Sequence, residues 1–503
     1  MKKTSVKLGI FIPTVVISLL ITIAMYVDPE AVSSVIYRVL NFLLYDFGWI
    51  YLGIFIACFA LSCWLAFSKY GKIVIGGADS KKEYSEFSWA AMVFTAGIGI
   101  GVLVLGFIEP ISFVANPPFH IEPLSDQAYE YAHMYSQFLW GVPGWLCYAP
   151  TTVAVAYYIY ELKKPALRLS MICEDSFGKK KEFWMTLIDV VVALAILGGV
   201  STSLGMGVPT VSGVVSYVFN WADSTKLTVA IFLIFLVIFS IDVWAGLKNG
   251  IKKVSNINMW VFGVFVILVT IKTPLMKTIN MEFNSLGLIL DNFGMLMLGT
   301  DPITQSGFPQ NWTIFYWAWM LTFLPMMGLF VARISKGRTI REIVLGEGLW
   351  GGLGCMLSFG LFGGYVIHLQ KNGMLDLISI LETKGRPAAV AAILNTLPMR
   401  QVTIIIYVLL LFLFLCTTVD STVYTLSSIC TKTLSGEEEP ARWHRLLWLF
   451  ILLAFSLGLI IVGGLEAVQI ASVVIAFPLV FVVIYISKVL LGFLKRRTEE
   501  TGN

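Results

Sequence analysis

"MYSQFLWGVPGWLCYAPTTVAVAYYIY", residues 134–160, carries no charged side chain. Coiled as an α-helix it is longer than the roughly 20 residues needed to cross ~30 Å of hydrocarbon, so it is read as a membrane span. Its interior is unusual. Tryptophan and tyrosine normally ring the two ends of such a helix, at the headgroups. Here Trp140, Trp145 and Tyr148 lie near the middle, around a Gly141-Val142-Pro143-Gly144 break.

Runs of similar length recur through all 503 residues, of which 57% are hydrophobic and 13% charged. That composition excludes an ordinary soluble protein and a nucleic-acid partner, and no sustained period-two alternation supports a barrel. The sequence predicts an all-α integral membrane protein embedded in the lipid bilayer. Twelve spans are expected at about 8–26, 46–67, 87–113, 134–160, 184–218, 226–246, 255–271, 312–332, 344–367, 402–431, 446–463 and 466–490. Lys and Arg cluster in alternate loops, whereas loop 114–133 has none and carries Glu122, Asp126 and Glu130. By the positive-inside rule both termini are cytoplasmic. Loop 368–401 is discordant, with Lys371, Lys384, Arg386 and Arg400.

No loop or tail is large enough to bury a core of its own, so 1–503 reads as one membrane domain. Residues 281–298, interrupted by Asn284 and Asp291, read as an interfacial helix rather than a span. The seven cysteines form no CxxC, and the four histidines have no metal-ligand spacing. Neither a metalloprotease, a nucleophile-elbow nor a P-loop motif is present, which argues against an enzyme.

Two spans carry helix-breaking residues five spans apart: Gly97 to Gly101 ("GIGIG") in the third, Pro325 and Gly328 ("FLPMMG") in the eighth. Matching breaks in two halves point to a transporter's binding site, where unwound backbone holds ion or substrate. Close packing is the competing explanation for such glycines. On an unbroken helix Trp140, Trp145 and Tyr148 fall at about 0°, 140° and 80°, on one side. Trp312, Tyr316, Trp319, Phe323 and Phe330 form a second stripe. Ring faces attract a cation that has no N–H donors, so the two stripes together suggest a cavity for one. Intramembrane ionisable groups are functional candidates: Glu109, Asp189, Asp242 and Asp420. Asp420 stands beside Thr417, Thr418 and Ser421, oxygens suited to Na⁺, although threonine hydroxyls also bond back to their own helix. Ser201, Thr202 and Ser203 form a further hydroxyl cluster.

The stretches "FTAGIGIG" (94–101), "GFIEPISF" (106–113), "WGVPGWLCY" (140–148), "SGFPQNWTIFYWAW" (306–319), "LFVARISKGRTIRE" (329–342) and "TTVDS" (417–421) resemble the betaine/choline/carnitine transporter family over nearly the whole chain. That resemblance implies two preceding helices (1–86) and a five-plus-five inverted repeat, helices 3–7 (87–271) and 8–12 (312–490). It also implies the interfacial helix and a homotrimer in the plasma membrane; residues 491–503 read from the sequence as a short basic cytoplasmic tail. The family's aromatic box for trimethylammonium matches Trp140, Trp145 and Tyr148, with Trp319 and Phe323 on the permeation path. Met320 stands where the fourth wall is usually tryptophan, implying a smaller or differently shaped ligand.

The resemblance divides on coupling. Sodium-coupled members keep the glycine-rich break and two hydroxyls, which match Thr417 and Thr418 here, with carbonyls near Thr95 and Ile98 as further ligands. Sodium-independent exchangers place an arginine where Lys252 falls, making Lys252 a candidate built-in cation. The expected function is import of a quaternary-ammonium or betaine-, carnitine- or choline-like zwitterion. Na⁺ is the expected coupling ion and there is no organic cofactor. The alternatives are cation-independent substrate/product exchange and transport of a non-trimethylated analogue.

Overall fold

A break in the third apolar run and another in the fourth set the geometry of the whole bundle. The computed structural model describes residues 6–95, 99–164, 168–222, 224–245, 250–432 and 439–501. The chain begins with α1 (Leu8–Val27), α2 (Pro29–Asn41) and α3 (Gly48–Phe67). The third run is split into α4 (Glu86–Thr95) and α5 (Gly99–Ala115), inclined at 64° to one another. The fourth becomes three pieces: α6 (Asp126–Trp140), α7 (Val142–Trp145) and α8 (Ala149–Ala156). Then follow α9 (Lys181–Phe219), α10 (Thr225–Ala245), α11 (Gly250–Lys272) and α12 (Leu275–Leu298). The second half comprises α13 (Phe315–Ile334), α14 (Ile340–Gly346), α15 (Gly354–Lys371), α16 (Leu377–Thr396), α17 (Arg400–Ile429) and α18 (Arg442–Thr501).

Among the described residues ten helices are long and apolar enough to cross a membrane, with α4 and α5 together an eleventh. The expected fourth span fails that length test only because it is fragmented. Two membrane-length stretches lie within α18, Arg442–Val462 and Ser472–Glu499. Five of these ten stretches lie on each side of α12 in sequence, and the α4–α5 pair and the fragmented fourth run add two more before it. Lys7 N donates to Cys430 O at 2.8 Å, and Tyr70 Oη pairs with Thr498 Oγ1 at 3.1 Å, so both termini lie at one end of the bundle.

Several local differences from the sequence expectation have physical causes. An extra amphipathic helix, α2, separates the first two spans; Pro29 occupies its first turn and Asp28 caps it, accepting from Ala31 N at 2.9 Å. The interfacial helix begins at Leu275, six residues earlier than expected, and exposes Met276, Phe283 and Leu290. The basic tail is not free: helix continues to Thr501, and Arg497 pairs with Glu161. The eighth span is not broken at Pro325 and Gly328. α13 runs through both, and a Cβ on Gly328 would sit 2.7 Å from Thr151 Cγ2, so this glycine serves close packing against α8.

The motif at 329–342 is a latch. Gly337 turns the chain at φ +76°, where a side chain would collide with the Lys81 backbone at 2.4 Å. The buried Arg338 lies 4.0 Å above the Trp89 ring and donates to Glu86 at 2.7 Å. Thr339 and Glu342 then form a capping box that starts α14. This ties the start of α4 to the end of α13.

Candidate functional site

At the end of the bundle opposite the termini a vestibule of about 1660 Å³ opens between the two halves. Its inner surface includes Val104 of α5, Gly205 and Met206 of α9, Phe315 at the start of α13 and Trp312 on the turn just before it. The rim loop is stiffened by Asp301, whose carboxylate accepts from Ser306 N at 2.8 Å. Hydrogen bonds from Ser306 hold that carboxyl below its ordinary range.

From the vestibule floor an aromatic ladder descends along α13. Phe315 stacks on Trp319 (6.1 Å, 11°), and Trp319 meets Tyr316 (5.7 Å) and Phe323 (5.8 Å) edge-on. Trp140 joins it from α6, edge-on to both Tyr316 and Trp319 at 5.6 Å and stacked on Phe359. Polar atoms pin each ring. Trp140 Nε1 donates to Glu109 at 3.1 Å, and Tyr316 Oη donates to the same buried carboxylate. Trp319 Nε1 donates to Thr202 Oγ1 at 2.6 Å, and Thr202 in turn donates to Gly199 O. Glu109 and Thr202, noted in the sequence for their buried polarity, thus orient the rings.

Trp145 and Tyr148 form a separate group nearer the termini. α6 stops at Trp140 because Gly141 is extended and Pro143 supplies no N–H. The chain then re-aims. Trp145 meets Tyr148 edge-on at 5.9 Å and packs on Gly351, where a Cβ would sit 2.1 Å from its ring. Trp145 Nε1 faces only the Cys355 thiol, and Tyr148 Oη is buried without a hydrogen-bond partner. Met320 reaches this group too, its sulfur 3.0 Å from where a Cβ on Gly144 would lie. Among the described residues no ring of this group contacts a ring of the ladder. The one-sided arrangement drawn for an unbroken helix is replaced by two sets on either side of the Gly141–Pro143 break.

The candidate cation ligands converge in part. Thr95 ends α4, and its hydroxyl donates to Ala91 O at 2.8 Å. Gly99 begins α5 jammed against α17: a Cβ there would lie 1.9 Å from the Phe414 ring. One turn on, Thr417 donates to Phe414 O at 2.9 Å, and Thr418 is buried beside it. The start of α5 therefore abuts the turn of α17 that precedes Thr417 and Thr418. Gly97 and Ile98 lie outside the described residues, as does the side chain of Lys252, which belongs to the first turn of α11.

Other ionisable candidates have different roles. Asp189 accepts from Ser170 at 2.8 Å and lies 3.6 Å from Arg168, fixing the 168–176 loop to α9. Asp420 interacts electrostatically with Asp242 of α10 and feels the charge of Arg445. Ser201 is spent on Ser456. Two residues escaped the sequence reading. Glu347, fully buried on a π-helical turn between α14 and α15, accepts from Thr152 Oγ1 at 2.7 Å and interacts electrostatically with Tyr148. Arg386 lines the vestibule. A charge inside the apolar run 340–371, and an arginine in the one loop that defied the charge rule, were the available signals.

A family model described as "BCCT, betaine/carnitine/choline family transporter" matches residues 9–499. An ectoine/hydroxyectoine transporter of Virgibacillus pantothenticus is 32% identical over 481 residues, covering 95% of this chain and 94% of that protein. The glycine betaine transporter OpuD of Bacillus subtilis is 31% identical over 477 residues, 94% and 92% of the two chains. Among solved structures, a Na⁺-coupled sialic acid symporter aligns at a TM-score of 0.41 and 11% identity, over 86% of this chain and 82% of that one. That likeness is too slight to carry weight.

Proposed function

Since this chain belongs to the betaine/carnitine/choline transporter family, and is a multi-pass membrane transporter rather than an enzyme, we propose that it imports a betaine- or carnitine-like zwitterion together with Na⁺. The observation that carries this reading is the ladder Phe315–Tyr316–Trp319–Phe323 with Trp140, running inward from the floor of the vestibule. Desolvated ring faces stabilise an ammonium group by about 2 kcal/mol without needing N–H donors. The ladder offers such faces along a path, while Trp145, Tyr148 and Met320 offer further surface beyond the α6–α7 break.

In this reading the vestibule opens to the outside, both termini are cytoplasmic, and the protein works as a homotrimer in the plasma membrane. Substrate enters along the ladder and is then enclosed with Trp145, Tyr148 and Met320 as α7 and the α14–α15 turn rearrange. The alternating exposure is a relative motion of the two five-span halves. Na⁺ is held where the bend between α4 and α5 meets Thr417 and Thr418, with Thr95 and Ile98 contributing. Both relatives named above carry ligands with a carboxylate, only one of which is quaternary, which fits a site where Met320 stands in place of the usual fourth ring.

Exchange without Na⁺ is the second reading, favoured by the position of Lys252 near the start of α11. Uptake of labelled glycine betaine into proteoliposomes, with external Na⁺ exchanged for K⁺, separates the two. Loss of accumulation in K⁺ supports symport; unchanged accumulation that needs internal substrate supports exchange.

A further inference from the structure

The inner aromatic group contains a carboxylate that ring contacts with a cation do not explain. Glu347 is fully buried at the start of the π-helical turn Glu347–Leu353, inside an apolar membrane-length stretch. That turn delivers it to the rings. Gly351, about one turn on, packs against Trp145, where a Cβ would sit 2.1 Å from the indole. Glu347 Oε1 accepts from Thr152 Oγ1 at 2.7 Å, and Thr152 stands one helical turn after Tyr148. Glu347 thus lies beside the Trp145–Tyr148 pair and acts electrostatically on the Tyr148 hydroxyl.

The polar atoms of this group are unmatched. Glu347 Oε2 and Tyr148 Oη are buried without a hydrogen-bond partner, and Trp145 Nε1 faces only the Cys355 thiol. Among the described residues no cationic side chain pairs with Glu347. Buried polar atoms are normally paired, and a carboxylate buried without a cation is more costly than a neutral group. Three such atoms at one place form a chemical template. Oε2 is an acceptor, while the tyrosine O–H and the indole N–H are donors. A zwitterion whose nitrogen carries hydrogen complements all three. Its N–H donates to Glu347 Oε2, its carboxylate accepts from Tyr148 and Trp145, and ring faces cover the remaining cation. A trimethylammonium group has no N–H and would leave Oε2 buried and unbonded.

We propose that Glu347 is a specificity-determining residue that accepts a hydrogen bond from the cationic end of the substrate. The protein then prefers zwitterions bearing an N–H on an ammonium or amidinium group over fully quaternary ones. This rests on the zwitterion-import reading above and narrows its substrate class. Glycine betaine is carried on ring contacts and charge attraction alone, more weakly than an analogue of similar shape with one N–H.

The test compares glycine betaine with N,N-dimethylglycine, in which a hydrogen replaces one methyl group on the cationic nitrogen. Equilibrium binding is measured on purified full-length protein in Na⁺, with thermal unfolding as the check on folding. Wild type should bind N,N-dimethylglycine about tenfold tighter or better, as expected for a hydrogen bond to a charged group. In Glu347→Gln the amide oxygen stays with Thr152 and the NH2 faces the ligand, so the two ligands should bind about equally. Tyr148→Phe removes a donor to the carboxylate that both ligands share, so it should weaken both in the same proportion. Should Glu347→Gln fail to fold, Glu347→Asp withdraws the carboxylate by one methylene, and the wild-type preference should shrink. Equal or tighter binding of glycine betaine by wild type would overturn the role of Glu347, and that comparison needs no variant. A variant at 347 that keeps the wild-type ratio would overturn it too. Binding of neither ligand by wild type would instead overturn the zwitterion-import reading itself.

Discussion

Gly101 sits where the α5 backbone meets the edge of Trp140, and replacing it by alanine makes the two occupy the same space. The added Cβ would lie 2.2 Å from Trp140 Cη2, 2.9 Å from Cζ3 and 3.0 Å from Cζ2. Comfortable carbon contacts are about 3.5–4.0 Å, so the ring must retreat by roughly 1.3 Å or more. It has little room to do so. Phe359 is stacked on its face at 5.2 Å, Tyr316 and Trp319 abut it, and Nε1 is tethered to Glu109 at 3.1 Å. Overpacking of this kind costs about 1–3 kcal/mol of stability. If Trp140 is a substrate wall, displacing it also forfeits a cation–π contact of about 0.5–2 kcal/mol, or roughly twofold to thirtyfold in affinity. The assay is thermal unfolding of the purified protein in detergent, paired with equilibrium binding of labelled glycine betaine. Trp140→Phe removes the outer ring that carries the clashing atoms. In that background Gly101→Ala should cost far less stability, giving a coupling energy of about 1 kcal/mol or more. Unchanged melting and affinity in Gly101→Ala, or purely additive effects in the double variant, would refute the packing argument.

Thr202→Val should weaken substrate binding by about 1–3 kcal/mol, because Trp319 Nε1 would be buried without its acceptor; Thr202→Ser should restore it in the same binding assay. Removing both hydroxyls in Thr417→Ala/Thr418→Ala should flatten the dependence of substrate affinity on Na⁺ while leaving the melting temperature without Na⁺ near wild type; a preserved Na⁺ response would clear these residues of ion binding. Arg168→Ala should destabilise by about 3–5 kcal/mol, since Asp189 would remain buried without its cation. Any protein that survives should keep wild-type Na⁺ dependence, and a changed dependence would give Asp189 a role in coupling.

Much of this architecture was written in local sequence. The span positions follow from uninterrupted apolar length, and the α4–α5 bend and the α6–α8 fragmentation follow from GIGIG and Gly-Val-Pro-Gly. What failed was extrapolation from one helix to another. Pro325 and Gly328 carry the same signature as the true breaks, yet α13 runs through them, because Gly328 is used for contact with α8. The angular argument for Trp140, Trp145 and Tyr148 presumed a continuous helix, and Gly141 and Pro143 rotate the later residues into a different group. Thr202, Glu347 and Arg386 gained their places from long-range packing. Each meets its partner through residues more than a hundred positions away, which no periodicity records.

The central claim is that the ladder, the α4–α5 bend and the α17 hydroxyls serve one coupled import cycle. Its most direct measurement is accumulation of labelled glycine betaine in proteoliposomes under an inward Na⁺ gradient, repeated with Na⁺ replaced by K⁺ and with or without unlabelled substrate inside. A coupled cycle needs no internal substrate, and linkage requires that bound substrate tighten Na⁺ as much as Na⁺ tightens substrate. The account predicts uphill accumulation in Na⁺ from empty liposomes and none in K⁺. Accumulation that persists in K⁺ and depends on internal substrate would contradict it.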